Sequence, residues 1–429
     1  MRKRIKSYRR QPREHKSQEY ELDLLAPAHG GFCVARQDGK TFFVRGGIPG
    51  EKVIAKSYAK KAKIIFAQTV KVNVPSSLRI GEPQSELVHQ GADLAYLSSA
   101  GQLEWKITVL RDCLRRIGTS VTAEAFEPLF ANGHFKASAL SEKNGRTRCE
   151  FVIDNAGNPA MHIPGSIETQ KISAFFLGVP TVSAHPIFQG KPKWKAITKP
   201  GDRVRIIDVS EGTFVRVGDQ WYDEDANLVS LEKVTYKVRE SNFLVNPSGF
   251  WQAHRDAPKA LWGALEEALT NISPTMILEL FSGAGLLTKK LYEKYSSIPV
   301  LALEGDPGAV QMARKNIPHV PAEETYIDKE AVEKALKNLR SKSTLAKNLE
   351  PEKLLIVADP PRQGLGPELA GALVSSEAEK ILLISCDPAS MAADARILIA
   401  GGYSPIFLNL IDLFPGTHHF ETVCLYARK

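Results

Sequence analysis

Residues 275–295 read TMILELFSGAGLLTKKLYEKY. An apolar run ends in Ser-Gly-Ala-Gly, and a segment with helical spacing of its apolar residues follows, so the expected unit is strand, tight turn, helix. The unit recurs. PVLALEGD (299–306) precedes GAVQMARKNI (308–317), and LLIVADPPR (354–362) and KILLISCDP (380–388) are further buried-strand patterns, each with a helix after it. YSPIFLNLIDLF (403–414) and TVCLYARK (422–429) close the chain as strands. Such alternation predicts an α/β domain over 236–429, a doubly wound, mostly parallel Rossmann-like sheet covered on both faces. Residues 329–353, rich in Lys, read as an exposed insertion.

The 429 residues suffice for two or three domains, and 43% hydrophobic with 24% charged residues is ordinary for a globular chain. No apolar run reaches the length of a membrane span, and the polar N-terminus does not fit a signal peptide. Residues 1–16 hold eight Lys or Arg against one Glu, +7 of the chain's +8. A basic disordered tail over 1–20 is expected, with a phosphate backbone as its partner. VARQDGKTFFV (34–44) signals a hairpin about Asp38-Gly39, and with RGGIPGEKVIAK (45–56) it predicts a small OB-like β-barrel over 21–75. Lys52, Lys56, Lys60, Lys61 and Lys63 decorate it. Residues 76–235 read as a mixed α+β central domain. Within it, Leu103, Ile107, Leu110 and Leu114 mark one face of a helix over 98–118 that is expected to pack on the catalytic domain. Cys33, Cys113, Cys149, Cys386 and Cys424 form no CxxC pair, and scattered thiols imply a reduced, cytoplasmic protein.

Gly283 and Gly285 stand between a strand and a helix N-terminus, where backbone can approach a ligand closely. Glu304 ends the next strand, nineteen residues beyond Gly285, where a carboxylate can accept from both hydroxyls of a ribose. A dinucleotide and S-adenosylmethionine both fit. Thr288 occupies the place of a dinucleotide fingerprint's third glycine, which favours S-adenosylmethionine. At the expected carboxyl ends of later strands stand Asp359 of ADPPRQG and Cys386 of SCDP, followed by DLFPGTHHFETV (412–423).

Taken together, NPSGFWQAH (246–254), ELFSGAG (279–285), DPPRQG (359–364), SCDPASMAADARIL (385–398) and DLFPGTHHFETV resemble, in order, the blocks of the RNA uracil-5-methyltransferase family. GGFCVARQDGKTFFVRGGIPGEKV (30–53) resembles the RNA-binding TRAM barrel of its ribosomal-RNA-modifying members. The resemblance implies a monomeric, S-adenosylmethionine-dependent enzyme that makes 5-methyluridine in RNA. Cys386 would be the nucleophile that adds to uracil C6, and Glu421 would take the C5 proton. The helix N-terminus after Cys386 would lower its pKa. Gln252 would touch cofactor or base, Phe250 would stack on the extruded uracil, and Asp359 would lie between methyl donor and base. Phe281, Gly283, Gly285 and Glu304 would line the adenosine pocket, with Asp328 beside the adenine. His418 and His419 would touch phosphate or hold their turn.

The chain departs from the pattern in places. RIGEPQSELVHQGADLAYLSSAGQLEWK (79–106) has no cysteine where many TRAM-bearing members bind an iron–sulfur cluster, so none is expected, nor any other metal. Ser282, Leu286 and His254 replace a common Cys and two common Asn. Barrel and tail favour ribosomal over transfer RNA. The competing readings are an RNA-binding protein with a decayed catalytic domain and a NAD-dependent oxidoreductase.

Overall fold

A computed structural model describes residues 17–82, 87–88, 90–140, 144–163, 168–344 and 353–429, so most of the expected basic tail, residues 1–16, lies outside the described residues. The chain divides into two compact units, 1–82 and 83–429.

The first unit is a closed barrel of β1 (Glu19–Ala28), β2 (Phe32–Gln37), β3 (Lys40–Arg45), β4 (Lys52–Lys61) and β5 (Ile64–Val74), in the order β1-β2-β3-β5-β4 with β4 returning to β1. β1 therefore begins inside the stretch assigned to the tail. Asp38 and Gly39, both at positive φ, turn β2 into β3. Alternate residues such as Cys33, Ala35, Phe42, Val44, Val53, Ala55, Ile65 and Ala67 fill the interior.

The second unit opens with α1 (Ser99–Cys113), continued by one π turn to Gly118, and then α2 (Ser120–Ala131) and β6 (Phe135–Ala139). α1 buries Gln102, Trp105, Lys106, Val109, Leu110 and Cys113, whereas the expected Leu103 and Ile107 are half-exposed. The inward stripe contains two polar residues, which hid it from an apolar-periodicity reading. A second sheet follows, made of β7 (Arg148–Ile153), β8 (Pro159–His162), β9 (Thr169–Lys171), β10 (Arg203–Val209), β11 (Gly212–Val217), β12 (Gln220–Tyr222) and β13 (Leu228–Val229), in the order β13-β12-β11-β10-β7-β8-β9. The hairpin β14 (Val234–Val238) and β15 (Ser241–Val245) leads to α3 (Ala257–Ala268).

The large sheet then winds out as β16 (Met276–Leu280), α4 (Leu286–Lys294), β17 (Val300–Glu304), α5 (Pro307–Asn316) and β18 (Ala322–Glu324). It returns to the other side of β16 through α6 (Lys329–Thr344) and β19 (Leu354–Ala358), followed by α7 (Gly366–Ser375), β20 (Lys380–Ser385), α8 (Pro388–Ala400), β21 (Tyr403–Asp412) and β22 (Glu421–Arg428). The order is β18-β17-β16-β19-β20-β22-β21-β6 among the described residues. All neighbours from β18 to β20 are parallel, and β22 is antiparallel to both β20 and β21. The Lys-rich segment is thus no simple insertion. Its first part is the crossover helix α6, with Val332, Ala335, Leu336 and Leu339 buried at i, i+3, i+4 and i+7. The chain reverses direction across the sheet between β16 and β19, which opens a crevice at their carboxyl ends. No described helix is long and apolar enough to cross a membrane.

Candidate active site

Three turns build one side of the crevice. After β16, Phe281, Gly283 and Gly285 all take positive φ (61°, 56° and 91°). Such a conformation is costly for a bulky Phe, and strain of this kind persists where surrounding structure enforces it. A Cβ on Gly285 would come 2.2 Å from Ile317 Cδ1, so this glycine admits close packing of the turn on α5. A Cβ on Gly283 would meet no atom within 4 Å, so its bare face looks onto open space. Glu304, at the end of β17, accepts from Gly283 N at 2.8 Å, Gly305 N at 2.7 Å and Asp306 N at 2.8 Å. Asp328 is half-buried at the entrance to α6, and its Oδ1 accepts from Ala331 N at 2.9 Å. Beneath the turn, Glu279, Ser282 and Thr288 are buried, with Thr288 against the Glu279 carboxyl. Burial pushes the Glu279 carboxyl up to about 8, with Thr288 opposing and the charges of Asp359 and Glu304 adding. An open glycine face and a carboxylate at the second strand end form a cradle that fits the adenosine part of S-adenosylmethionine.

The other side carries Cys386, Glu421 and Asp359. Ser385 on β20 pairs with Thr422 on β22, so the antiparallel register carries Cys386 and Glu421 to the next facing position. Cys386 is half-buried and Glu421 is 7% exposed, with Oε2 buried and unpartnered. Burial pushes the Cys386 thiol up to about 12, the Glu421 and Asp359 carboxylates add to this, and Arg362 opposes. Burial likewise holds Glu421 well above the ordinary carboxylate range, with Asp359 adding and Arg362 opposing. Asp359, half-buried after β19, is raised to about 7 by burial and by Glu304. The expected lowering of the thiol pKa by the α8 N-terminus is absent. Asp387 caps that helix, accepting from Ala389 N at 2.9 Å and Ser390 N at 3.0 Å, so the helix end faces the thiol already matched by a carboxylate.

Phe250 is 72% exposed, whereas Gln252 is buried and Trp251 stacks on Tyr236 at 5.2 Å. Arg148 donates to the carbonyls of Gly249 and Pro247, and Arg205 to that of Ser248, all at 2.7–2.8 Å. Those arginines from β7 and β10 fasten the turn that presents Phe250.

Arg362, Arg146 and Asp93 form part of the site's surroundings that the sequence reading did not single out. Arg362 Nη2 lies 2.8 Å from His419 Nδ1, and burial with the neighbouring His418 and Arg362 lowers His419 to about 3. Arg146 lies over the Phe414 ring at 5.1 Å. His418 donates its amide to Asp93 at 2.9 Å, and its Nδ1 lies 2.6 Å from the same carboxylate. Arg362 stands inside the quoted DPPRQG block and was findable there. Asp93 had no local signal. Among the described residues, no group of three or more His, Cys, Asp or Glu could hold a metal ion, and Cys33, Cys113, Cys149 and Cys424 are buried free thiols.

Comparison with known proteins accords with this geometry. An uncharacterised RNA methyltransferase of Bifidobacterium longum is 28% identical over 98% of this chain and 99% of its own length. The 23S rRNA (uracil(1939)-C(5))-methyltransferase of Francisella tularensis is 25% identical over 95% of this chain and 97% of its own. Among solved structures, the Pyrococcus abyssi tRNA (uracil-54, C5)-methyltransferase in complex with S-adenosyl-L-homocysteine superposes with a TM-score of 0.67, covering 95% of this chain and 100% of that one at 19% identity. The family model described as tRNA (Uracil-5-)-methyltransferase matches residues 194–429, the segment that carries every turn of the crevice. The chain belongs to that family, the S-adenosylmethionine-dependent RNA (uracil-C5)-methyltransferases.

Proposed function

We propose that the chain methylates C5 of a uridine in ribosomal RNA through a covalent bond between Cys386 and uracil C6. The observation that carries this reading is that Cys386 follows β20 and Glu421 opens its antiparallel neighbour β22, with the Glu421 carboxylate close enough to raise the thiol. C5 of uracil is a weak nucleophile. Addition of the Cys386 thiolate to C6 moves the ring's electrons toward C5 and O4 and activates C5. S-adenosylmethionine supplies the methyl group as an electrophile on a positively charged sulfur. Glu421 then accepts the C5 proton, the double bond re-forms, and sulfur leaves C6 as thiolate.

Phe281, Gly283, Gly285, Glu304 and Asp328 are assigned to the adenosine end of the cofactor, and Gln252 and Asp359 to the space between cofactor and base. Phe250, exposed on a stapled turn, is assigned to stacking on the extruded uracil. Asp359, raised to about 7, can hold or release a proton near neutrality, close to the Glu421 carboxyl that is assigned the C5 proton. The ribosomal assignment rests on the basic barrel and on the named activity of the Francisella relative. The Pyrococcus neighbour acts on transfer RNA, so both RNA classes belong in the test.

The test is trapping. With S-adenosylmethionine and 5-fluorouracil-substituted RNA, the C5 fluorine cannot leave as a proton and the covalent adduct persists on a denaturing gel. A shifted band with ribosomal RNA, absent with transfer RNA and absent in Cys386→Ala, is expected. A band with transfer RNA alone would transfer the assignment to that substrate. No band with either, despite bound cofactor, would remove the covalent mechanism.

A further inference from the structure

The loop between β21 and β22 ends at Glu421, and residues 93–106 grip it from the far side of the sequence. Lys106 on α1 forms an ion pair with Asp412, the last residue of β21, at 2.5 Å, with both side chains out of solvent. One turn earlier on the same helix face, Gln102 accepts from Gly416 N at 2.6 Å and donates to the Leu97 carbonyl at 3.0 Å. Leu94 N donates to the Gly416 carbonyl at 2.8 Å. Asp93 takes the His418 amide and lies 2.6 Å from its ring Nδ1. Both backbone groups of Gly416 and one of His418 are thus held by a segment that contributes nothing to the large sheet.

Stability alone is a poor account of this arrangement. Removing a Lys and an Asp from water costs more than their attraction reliably returns, and an apolar helix face would pack at less cost. What the three polar side chains do share is their target, one nine-residue path from Asp412 to Phe420. Glu421 itself has a buried oxygen without a partner, so its own side chain supplies little to orient it. Its aim depends on where the backbone enters β22.

We propose that Asp93, Gln102 and Lys106 are positioning residues for the proton-removal step, fixing the Glu421 carboxylate beside Cys386. The inference rests on the role assigned to Glu421 above. In that step the C5–H bond breaks and its proton passes to a Glu421 oxygen. Its electron pair enters the C5–C6 double bond as the C6–S bond breaks, and that pair returns to the Cys386 sulfur. Loss of the grip should leave addition and methylation running while release slows, since misplacing a proton acceptor by about 1 Å can cost roughly 100-fold.

The experiment uses the full chain with ordinary uridine-containing RNA that the wild type methylates. In Gln102→Met and in Asp93→Asn, a denaturation-resistant RNA–protein adduct should accumulate about 10- to 100-fold above wild type. kcat should fall by a similar factor and KM for RNA with it, leaving kcat/KM near the wild-type value, and RNA carrying 5-deuterated uridine should slow turnover further. Gln102→Glu, which keeps an acceptor for the Gly416 amide, should restore release. Because a single change at Lys106 would strand a buried charge, the pair is tested as Lys106→Met with Asp412→Leu, and the same adduct is expected. A lower melting temperature and fewer active molecules, with no adduct and no isotope effect, would mark a merely structural role and overturn the proposal. Wild-type release in the double variant would remove Lys106 from it. If the wild type itself methylates no RNA, the proposed function falls and this inference with it; an active wild type beside adduct-free variants sinks the inference alone.

Discussion

Cys386 shares its surroundings with the carboxyls of Glu421, Asp359 and Asp387, while Arg362 opposes them. Burial and these charges hold the thiol at about 12, so without cofactor its thiolate fraction should climb about tenfold per pH unit through neutrality. Alkylation by iodoacetamide should therefore keep accelerating to pH 10 without a plateau. A plateau near pH 8 would mean that the thiol is not raised. Asp359→Asn removes a negative charge that is ionised above about pH 7, so it should speed alkylation at pH 8.5 by roughly three- to tenfold. Adding S-adenosylmethionine should act in the same direction, and S-adenosylhomocysteine, with a neutral sulfur, should act less. The other described cysteines are buried, which keeps the readout on Cys386. At this scale the sequence was legible where a polar residue stands at the end of a recognisable strand, as with the positions of Cys386, Asp359 and Glu304. It was silent on Asp93, whose partner His418 lies 325 positions away, and it misjudged the thiol because Asp387 spends the helix N-terminus on its own cap.

The unit β16–turn–α4 was the most legible element, because an apolar run, two glycines and a helical period agree locally. Its glycines should nevertheless respond differently to the same substitution. Gly285→Ala combines φ 91° with a contact at 2.2 Å from Ile317 Cδ1, so a loss of about 2–4 kcal/mol is expected from backbone strain and forced repacking. Gly283→Ala lies at φ 56°, tolerable for other residues at about 1 kcal/mol, and meets open space. It should barely shift the melting temperature but weaken S-adenosylmethionine binding at least about tenfold, as calorimetry would show, since a methyl then fills the cradle. Equal losses of stability and affinity in both variants would contradict this division. Glu279 on β16 supplies a pH-dependent counterpart. Its folded pKa of about 8 exceeds the ordinary 4.5, so the folded state retains a proton that the unfolded chain releases. Stability from this group is complete below about pH 4.5 and is lost as pH rises through 8, by at most about 5 kcal/mol. Glu279→Gln should flatten the fall in melting temperature between pH 5 and pH 9; an unchanged profile would show the carboxyl to be ordinary. α1 and α6 were less legible for opposite reasons. Inward Gln102 and Lys106 broke the apolar stripe of one, and a dense run of lysines concealed that of the other.

At the scale of the whole molecule, chemistry and charge reside in different compact units. The large unit holds the crevice, whereas Lys56, Lys60, Lys61 and Lys63 are all exposed on the barrel. The outer side of the same barrel carries Phe32, Phe43 and Phe66 within 6 Å of one another, with the Arg45 guanidinium 4.2 Å above the Phe32 ring and Tyr58 43% exposed. Aromatic side chains at a barrel exterior do nothing for its interior, but together with lysines they match a strand of unpaired RNA, bases on rings and phosphates on ammonium groups. The two kinds of contact respond differently to salt. Each phosphate neutralised on a single strand contributes about 0.7 to the slope of log affinity against log salt, whereas stacking contributes nothing. Replacing Lys60, Lys61 and Lys63 together by Gln should therefore lower the slope by about 2 if all three meet phosphate. Phe66→Leu should weaken binding by about 1–3 kcal/mol at every salt concentration with the slope unchanged. Fluorescence anisotropy over a salt series with one RNA measures both. The residues assigned to the cofactor all belong to the other unit, so S-adenosylmethionine affinity should stay at the wild-type value in each. A lysine variant with an unaltered slope would show that the barrel's charge is solvated rather than spent on RNA, and would leave the Arg-fastened turn of Phe250 to carry recognition from within the catalytic unit.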